Sequence, residues 1–192
     1  MSGAIPPWIE ISIGGRVTRA AFEEILEAVA TAEKNEITYG CEGESPSDGV
    51  DAVVALVKKQ FFDAHTAQAT AELDLGAQHE AGDHSRDVEK VEPLLKVLIK
   101  HDLSWRLLMP TEEDRDMGEI TEGVCIYYAP ECGRRQQVAV DEQCFPMLPI
   151  TEGEWWDIPG LEDRLKAAYT MRFIGLPPIE LDPDIVGEED GD

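Results

Sequence analysis

The chain has 192 residues with 40 acidic and 16 basic side chains, so its formal net charge at pH 7 is −24. A charge this negative repels phosphate backbones and anionic lipid, which excludes ordinary nucleic-acid binding and electrostatic attachment to membranes. The length fits one domain, or one domain with an appendage, and the 43% of hydrophobic residues is enough to build a core.

The first third of the chain predicts two strands and two helices in alternation. Apolar and polar residues alternate over residues 8–13, which is typical of a strand, and Gly14-Gly15 is predicted to end this strand in a tight turn. Residues 18–29 carry apolar side chains at helical spacing, which predicts the first helix. A short strand at residues 37–39 and a second amphipathic helix at 50–61 follow.

The middle third predicts a strand, a helix, a strand and a loop. Residues 66–75 alternate between apolar and polar side chains, which predicts a half-buried strand, although their alanine content leaves a helix open. A third helix is predicted from Pro93 to about residue 101, because proline fits the first position of a helix better than its interior. Residues 105–109 predict a strand, and residues 111–119 predict an acidic loop.

The last third predicts two more strands, a helix and a tail. Residues 122–128 and 135–140 are expected to form a hairpin, since their short connector contains proline and glycine. A last helix is predicted at residues 161–171. Residues 175–192 contain three prolines and seven carboxylates, which predicts an irregular acidic tail.

The resulting order, β-α-β-α-β-α-β-β-β-α, predicts an α+β fold. Strands that alternate in polarity favour a sheet with one solvated face, so the sheet is expected to be mixed or largely antiparallel, with helices mainly on one face. No linker divides the chain into two cores. We therefore expect a single α+β domain over residues 1–174, followed by the tail at 175–192.

The sequence shows no signal peptide and no apolar stretch approaching the roughly 18 residues that span a bilayer, so a soluble, cytosolic protein is expected. In that compartment cysteines are reduced thiols. Their spacing contains no C-x2-C pair, so no metal site is predicted. The four cysteines are Cys41, Cys125, Cys132 and Cys144.

No motif in the sequence predicts catalysis. The two histidines of segment 79–84 are five residues apart with Gly82 between them, whereas a zinc-protease helix needs them four apart. Gly14-Gly15 lacks the other residues of a phosphate-binding loop, and no nucleophile elbow is present. We therefore predict no catalytic residue, no cofactor and no metal. A small enzyme without a recognisable motif remains an alternative.

Three explanations of the charge are open. Acidic surfaces keep proteins soluble at high salt, but such surfaces are expected to be rich in Asp, and here Glu (24) exceeds Asp (16). Solubility alone requires only about 2 to 8 net charges on a small domain. Because self-repulsion at −24 lowers stability, a further benefit is expected, and a basic partner would provide it. Successive segments of 40 residues, with 32 in the last, carry −3, −6, −4, −5 and −6, so the charge belongs to the folded body.

Carboxylates fixed on strands and helices can imitate part of a phosphate row. Alternate phosphates of one B-DNA strand lie about 6.8 Å apart along the axis. Residues i and i+2 of a strand lie about 6.6 Å apart, and residues i and i+4 of a helix are separated by a rise of about 6 Å. In charge, size and lack of a catalytic motif, the chain resembles the DNA-mimic inhibitors that phages and plasmids use against restriction or CRISPR effector complexes. The resemblance implies a non-catalytic inhibitor that binds a basic nucleic-acid-binding protein or nucleoprotein complex.

The candidate partner-binding residues are the carboxylates that cluster most closely or have the spacing just described. They are Glu112, Glu113, Asp114, Asp116 and Glu119 in the acidic loop, Glu72 and Asp74 on the third strand, and Glu23, Glu24 and Glu27 on the first helix. An immunity-type protein that neutralises a basic nuclease toxin is the alternative within the same class. The identity of the partner distinguishes the two.

Overall fold

The computed structural model describes residues 9–34, 37–40, 49–77, 88–109, 111–114, 119–147, 163, 166–167, 170 and 175–187. Its helices are α1 (Arg19–Lys34), α2 (Val50–Ala67) and α3 (Val88–Lys100), with single turns at Pro130–Cys132 and Pro183–Val186. Its strands are β1 (Ile9–Val17), β2 (Ile37–Gly40), β3 (Ala71–Ala77), β4 (Ser104–Met109), β5 (Glu112–Asp114), β6 (Glu119–Thr121), β7 (Gly123–Tyr128), β8 (Gln136–Val140), β9 (Pro146–Met147) and β10 (Ile179–Leu181).

The main sheet has the strand order β2-β3-β1-β4-β7-β8-β9, and all of these neighbours are antiparallel. The exception is β10, which lies parallel to the second half of β1. Strands β5 and β6 form a separate antiparallel ribbon between β4 and β7 in the chain. The predicted α+β fold with a mixed, largely antiparallel sheet is confirmed.

One face of the sheet forms the core with the helices. Ile11 of β1 is fully buried, and its register partners Leu73 and Leu107 are buried beside it. The same side continues along the sheet to Trp105, which stacks on Tyr128 with 6.0 Å between ring centres. Helix α1 packs between α2 and α3 over this face, and its Phe22 makes edge-on ring contacts with α2. The prediction of helices mainly on one face is confirmed.

The opposite face of the sheet is divided into a polar and an apolar part. A cross-strand row that includes Glu72, Ser12, Arg106 and Tyr127 runs over β3, β1, β4 and β7. A smaller apolar cluster lies towards the other edge and consists of Leu108, Cys125, Val138 and Val140, with Cys144 packed against it. The described residues at positions 163–170 are helical, as predicted, and line a cavity together with Tyr127, so they lie on this second face.

The glycine pair near the end of β1 does not end the strand, contrary to prediction. β1 continues through Gly14-Gly15 to Val17, and the C-terminal segment crosses directly over the glycines. A Cβ on Gly14 would overlap the carbonyl oxygen of Pro177 and lie 3.1 Å from the carbonyl carbon of the same residue. Gly15 has a φ of +121°, a conformation that favours glycine, and its N–H donates to Pro178 O at 3.2 Å. The pair is therefore the site of a close backbone approach.

The prediction of an irregular C-terminal tail is wrong for residues 175–187. Ile179 and Leu181 of β10 and Ile185 of the following turn are 1%, 6% and 0% exposed, and all three belong to the main core. The side chain of His65 at the end of α2 lies against this strand, where its Nδ1 accepts a hydrogen bond from Leu181 N–H at 3.2 Å. Three prolines and three carboxylates in this segment obscured the pattern of three apolar residues that anchors it. Residues 188–192 lie outside the described part of the chain.

Three predicted boundaries differ from the structure. Helix α2 extends to Ala67 and ends at Gln68, which has a left-handed φ of 52°, so the strand predicted at 66–75 begins only at Ala71. Pro93 lies inside α3, not at its first position. The segment predicted as an acidic loop at 111–119 instead contains the ribbon strand β5 and the first residue of β6.

None of the helices in the described part of the chain combines the length and apolar composition needed to cross a bilayer. The three cysteines within it, Cys125, Cys132 and Cys144, carry no disulfide, and Cys41 lies outside it. Within the same residues, no group of three or more metal-ligating side chains comes together.

A bidentate ion pair joins Arg135, the residue before β8, to Glu92 of α3. Arg135 donates from Nη1 to Glu92 Oε2 at 2.7 Å and from Nη2 to Glu92 Oε1 at 2.8 Å, and its guanidinium carbon lies 5.4 Å from the centre of the Trp105 ring. The hydrogen bonds from Arg135 are the main reason that the pKa of Glu92 is lowered from its ordinary value of 4.5. Both side chains are about one-third exposed, so solvent screens the pair only in part.

Glu92→Gln is expected to lower the free energy of unfolding at pH 7 by about 1 kcal/mol, because it removes the charge from a bidentate, stacked pair. A carboxylate with a lowered pKa in the folded state stabilises that state above the pKa of the unfolded chain. The difference between wild type and variant should therefore shrink as the pH falls below about 4.5. Urea unfolding at pH 7 and pH 3 measures this difference in unfolding free energy, with Glu131→Gln as an exposed control. Equal differences at both pH values would mean that the ionised Glu92 carboxylate does not stabilise the folded state.

Candidate partner-binding surface

The first helix presents two of its three candidate carboxylates to solvent. Glu23 and Glu27 are exposed and one helical turn apart, and no ion pair to either is formed within the described residues. Glu24 is half-buried, with both carboxylate oxygens 2.7 Å from Lys100 Nζ. Its pKa is lowered, first by the hydrogen bond from Lys100 and then by His101. Glu24 therefore joins α1 to the end of α3 and is a weaker candidate for partner binding.

The third strand holds Glu72 in a defined orientation. Glu72 is exposed, and its two oxygens accept hydrogen bonds from Ser12 Oγ at 2.7 Å and Thr70 Oγ1 at 2.6 Å. Ser12 itself is 1% exposed and also accepts from Arg106 Nη2 at 3.2 Å. These hydroxyls restrict the carboxylate, which lowers the entropy that it loses when a partner binds. Asp74 is two positions further along β3, opposite Glu10, and its side chain lies outside the description.

The acidic segment forms a two-stranded ribbon in which one pair of acidic positions is opposed in the backbone register. Asp114 is directly opposite Glu119 in the backbone register, and Glu112 is opposite Thr121. Thr111 fixes the base of the ribbon to the main sheet, because its hydroxyl accepts from Gly123 N–H at 2.8 Å and donates to Val140 O at 2.5 Å. The ribbon therefore brings four of the five predicted positions together. They are Glu112, Glu113, Asp114 and Glu119, whereas Asp116 lies outside the described residues.

The candidate residues do not form one continuous patch. Glu23 and Glu27 lie in the helical layer, whereas Glu72 lies on the opposite face of the sheet. Acidic positions therefore occur on both sides of the molecule. Further exposed carboxylates that form no ion pair within the described residues include Asp51, Asp102, Glu122, Glu131 and Glu142.

Half of the Lys and Arg side chains in the described part of the chain form ion pairs with carboxylates of the same molecule. The shortest N–O distances are 2.8 Å for Arg16–Asp182, 3.4 Å for Arg19–Asp184, 2.7 Å for Lys59–Asp63, 2.7 Å for Lys100–Glu24 and 2.7 Å for Arg135–Glu92. Each pair neutralises one carboxylate and one cation locally. The remaining exposed carboxylates therefore set the sign of the surface field.

A cavity of about 360 Å³ lies on the second face, at the lower end of the size range for small-molecule sites. Its lining consists of Tyr127, Cys132, Gln136, Asp163, Lys166, Ala167 and Thr170. Burial is the main reason that the pKa of Tyr127 is raised. Sequence reasoning did not find this cavity, because its residues come from β7, the following turn, β8 and a helix about 30 residues later.

No protein-family model, curated protein or solved structure matches this chain.

Proposed function

We propose that the protein is a non-catalytic inhibitor that binds a basic nucleic-acid-binding surface of another protein, as a DNA mimic of the anti-restriction or anti-CRISPR type. The observation that supports this most is the excess of exposed carboxylates, several of them on helices and strands, while half of the described Lys and Arg side chains are already engaged in ion pairs. Fixed carboxylates on helices and strands present negative charge at defined positions, as a nucleic-acid backbone does.

The spacing of the carboxylates is compatible with contacts to phosphate-binding side chains. Glu23 and Glu27 are separated by a helical rise of about 6 Å. Glu72 and Asp74 are neighbours at about 6.6 Å along one strand. Both values are close to the roughly 6.8 Å between alternate phosphates of one DNA strand. A row of Lys and Arg side chains that binds phosphates could therefore bind two carboxylates of either pair.

Binding to a cation-rich surface would relieve the electrostatic self-repulsion of the protein. A chain with a net charge of −24 is destabilised by its own electrostatic field. A basic partner lowers this cost, so partner binding and protein stability should be coupled. The coupling should weaken as salt increases, because exposed charges that are further apart than the Debye length, about 8 Å at 0.15 M, are largely screened.

A competition experiment tests the proposal. The immobilised, tagged protein captures partners from a bacterial lysate at low salt, and the captured protein is then titrated with duplex DNA over a salt series. We expect a basic nucleic-acid-binding partner that DNA and this protein bind in a mutually exclusive way, with affinity that falls steeply as salt increases. A partner that is neither basic nor nucleic-acid-binding would refute the proposal. A single nuclease toxin as the partner would identify an immunity-type protein instead.

The cavity on the second face favours a second candidate function, a small enzyme. It brings a buried phenol, an exposed thiol, a carboxylate and an ammonium group to one concave site. We rank it second, because none of these groups forms a hydrogen bond to another within the described residues. Turnover of a substrate that is lost in Tyr127→Phe and retained in Glu72→Gln would favour the enzyme.

A further inference from the structure

Two large apolar side chains stand exposed at the far edge of the sheet. Phe145 is 45% exposed and Met147 of β9 is 39% exposed. They flank Pro146, which is buried against the sheet. Because side chains alternate along an extended chain, Phe145 and Met147 project from the same side of this edge. We call these two residues the edge pair.

The edge pair lies beyond the part of the sheet that the helices cover. Pro146 is opposite Val140, which belongs to the apolar cluster of the second face, so Met147 and its partner Ala139 lie on the helix side. Helix α3 packs against β4, three strands away from β9. On the same side of β8, Gln137 is exposed and Ala139 is half-buried. The edge pair therefore contributes little to the core.

The turn before the edge pair is held by its own hydrogen bonds. Asp141 Oδ1 accepts from the backbone N–H of Gln143 and of Phe145, both at 2.8 Å. The Asp141 N–H donates to Phe145 O at 2.9 Å, and Cys144 takes a left-handed φ of 62°. Phe145 is thus presented on a turn with fixed backbone. A side chain presented in this way loses less conformational freedom on binding than one on a loose loop.

Carboxylates border the edge pair. Glu142 is exposed within the same turn, and Glu122 is exposed next to Gly123, which pairs with Val140 beside the turn. An apolar pair bordered by negative charge is complementary to an apolar pocket bordered by Lys and Arg. It is not complementary to a second copy of this chain, because each copy carries −24 and would bring carboxylates against carboxylates.

We propose that the edge pair is the apolar anchor of the interface with the basic partner, and that it inserts into an apolar pocket bordered by Lys and Arg on that partner. This inference rests on the proposed function and adds a division of roles to it. The exposed carboxylates accelerate association through long-range attraction, whereas Phe145 and Met147 slow dissociation through burial of apolar surface.

Two double variants separate these roles, once the capture experiment has provided the partner. Phe145→Ala/Met147→Ala is expected to raise the dissociation rate at least 10-fold and to change the association rate less than 3-fold. Glu122→Gln/Glu142→Gln is expected to lower the association rate at low salt and to leave the dissociation rate unchanged. Gln137→Ala, an exposed neighbour without a large apolar group, serves as the matched control for both rates.

The outcomes distinguish this inference from the proposed function. If the partner is basic but the apolar variant dissociates like wild type, the anchor is refuted and the proposed function stands. If no basic nucleic-acid-binding partner is captured, both fail. Sedimentation of the free protein adds a check, because a concentration-dependent dimer that Phe145→Ala/Met147→Ala abolishes would show that a second copy occupies the edge and would also refute the anchor. Should the double variant unfold, Met147→Gln replaces it with the same expected direction.

Discussion

Gly14→Ala is expected to destabilise the protein by about 3 kcal/mol, because the added methyl group would collide with backbone and not with a movable side chain. The colliding atoms are the carbonyl oxygen and carbon of Pro177, and the Cβ of Leu176 lies 3.2 Å from the new group. Neither β1 nor the crossing segment can move freely, since β1 pairs with β3 and β4 on its two edges. For a chain of this length the change corresponds to a fall in Tm of roughly 6 to 12 °C.

Gly175→Ala is the matched control for this prediction. It adds the same methyl group to the same C-terminal segment, at a position with no atom within 4 Å of the new Cβ. We expect its effect to be below about 0.5 kcal/mol, as for most exposed substitutions. Urea unfolding followed by circular dichroism measures both variants. Equal stability of Gly14→Ala and wild type would mean that the C-terminal segment does not cross β1 in solution.

The second large effect is expected for Ile185→Ala, at about 3 kcal/mol. Ile185 is fully buried in the main core, so its truncation removes apolar contacts and leaves a cavity. Val186→Ala is the control, because that neighbouring side chain is only partly buried and should cost about 1 kcal/mol or less. Thermal unfolding of the two variants tests the difference. If Ile185→Ala costs no more than Val186→Ala, residues 183–187 behave as the irregular tail that composition predicts.

Regular hydrophobic periods allowed the central elements to be predicted from the sequence. The alternation at Ile9, Ile11 and Ile13 identified β1, and the helical spacing from Phe22 to Val29 identified α1. Both patterns arise because one face of the strand or helix packs against the core, and the spacing of the apolar residues in the sequence shows that face directly. The α+β class followed from the order of these elements.

The predictions that failed concern contacts between distant parts of the chain. Gly14-Gly15 has the local chemistry of a turn, and only the approach of Pro177 and Pro178 shows that the strand continues past it. The alanines of segment 66–75 fit helix and strand alike; the structure places Ala67 at the end of α2 and Ala71 at the start of β3. Ile179 and Leu181 form too short a pattern to be recognised without β1 as their partner.

The negative charge of the candidate surface could be predicted from the sequence, but the positions of its carboxylates on the fold could be predicted only in part. Charge and spacing identified Glu23, Glu27 and Glu72 as candidates, and all three are exposed. The pairing of Glu24 with Lys100 joins residues 76 positions apart, which no local pattern reveals. In the sequence, Phe145 and Met147 look like the buried residues of a short strand. Their exposure follows from where the helical layer ends, which no local pattern shows.

We propose that exposed carboxylates of this protein compete with nucleic acid for a basic partner. The most direct measurement is a DNA competition titration of that partner with the triple variant Glu23→Gln/Glu27→Gln/Glu72→Gln, compared with the corresponding triple Asp variant, which keeps the charge. We expect the Gln variant to displace DNA at least 10-fold less well and with a shallower dependence on salt, and the Asp variant to stay within 3-fold of wild type. Equal displacement by the Gln and Asp variants, or a stable complex of partner, DNA and this protein, would contradict the claim.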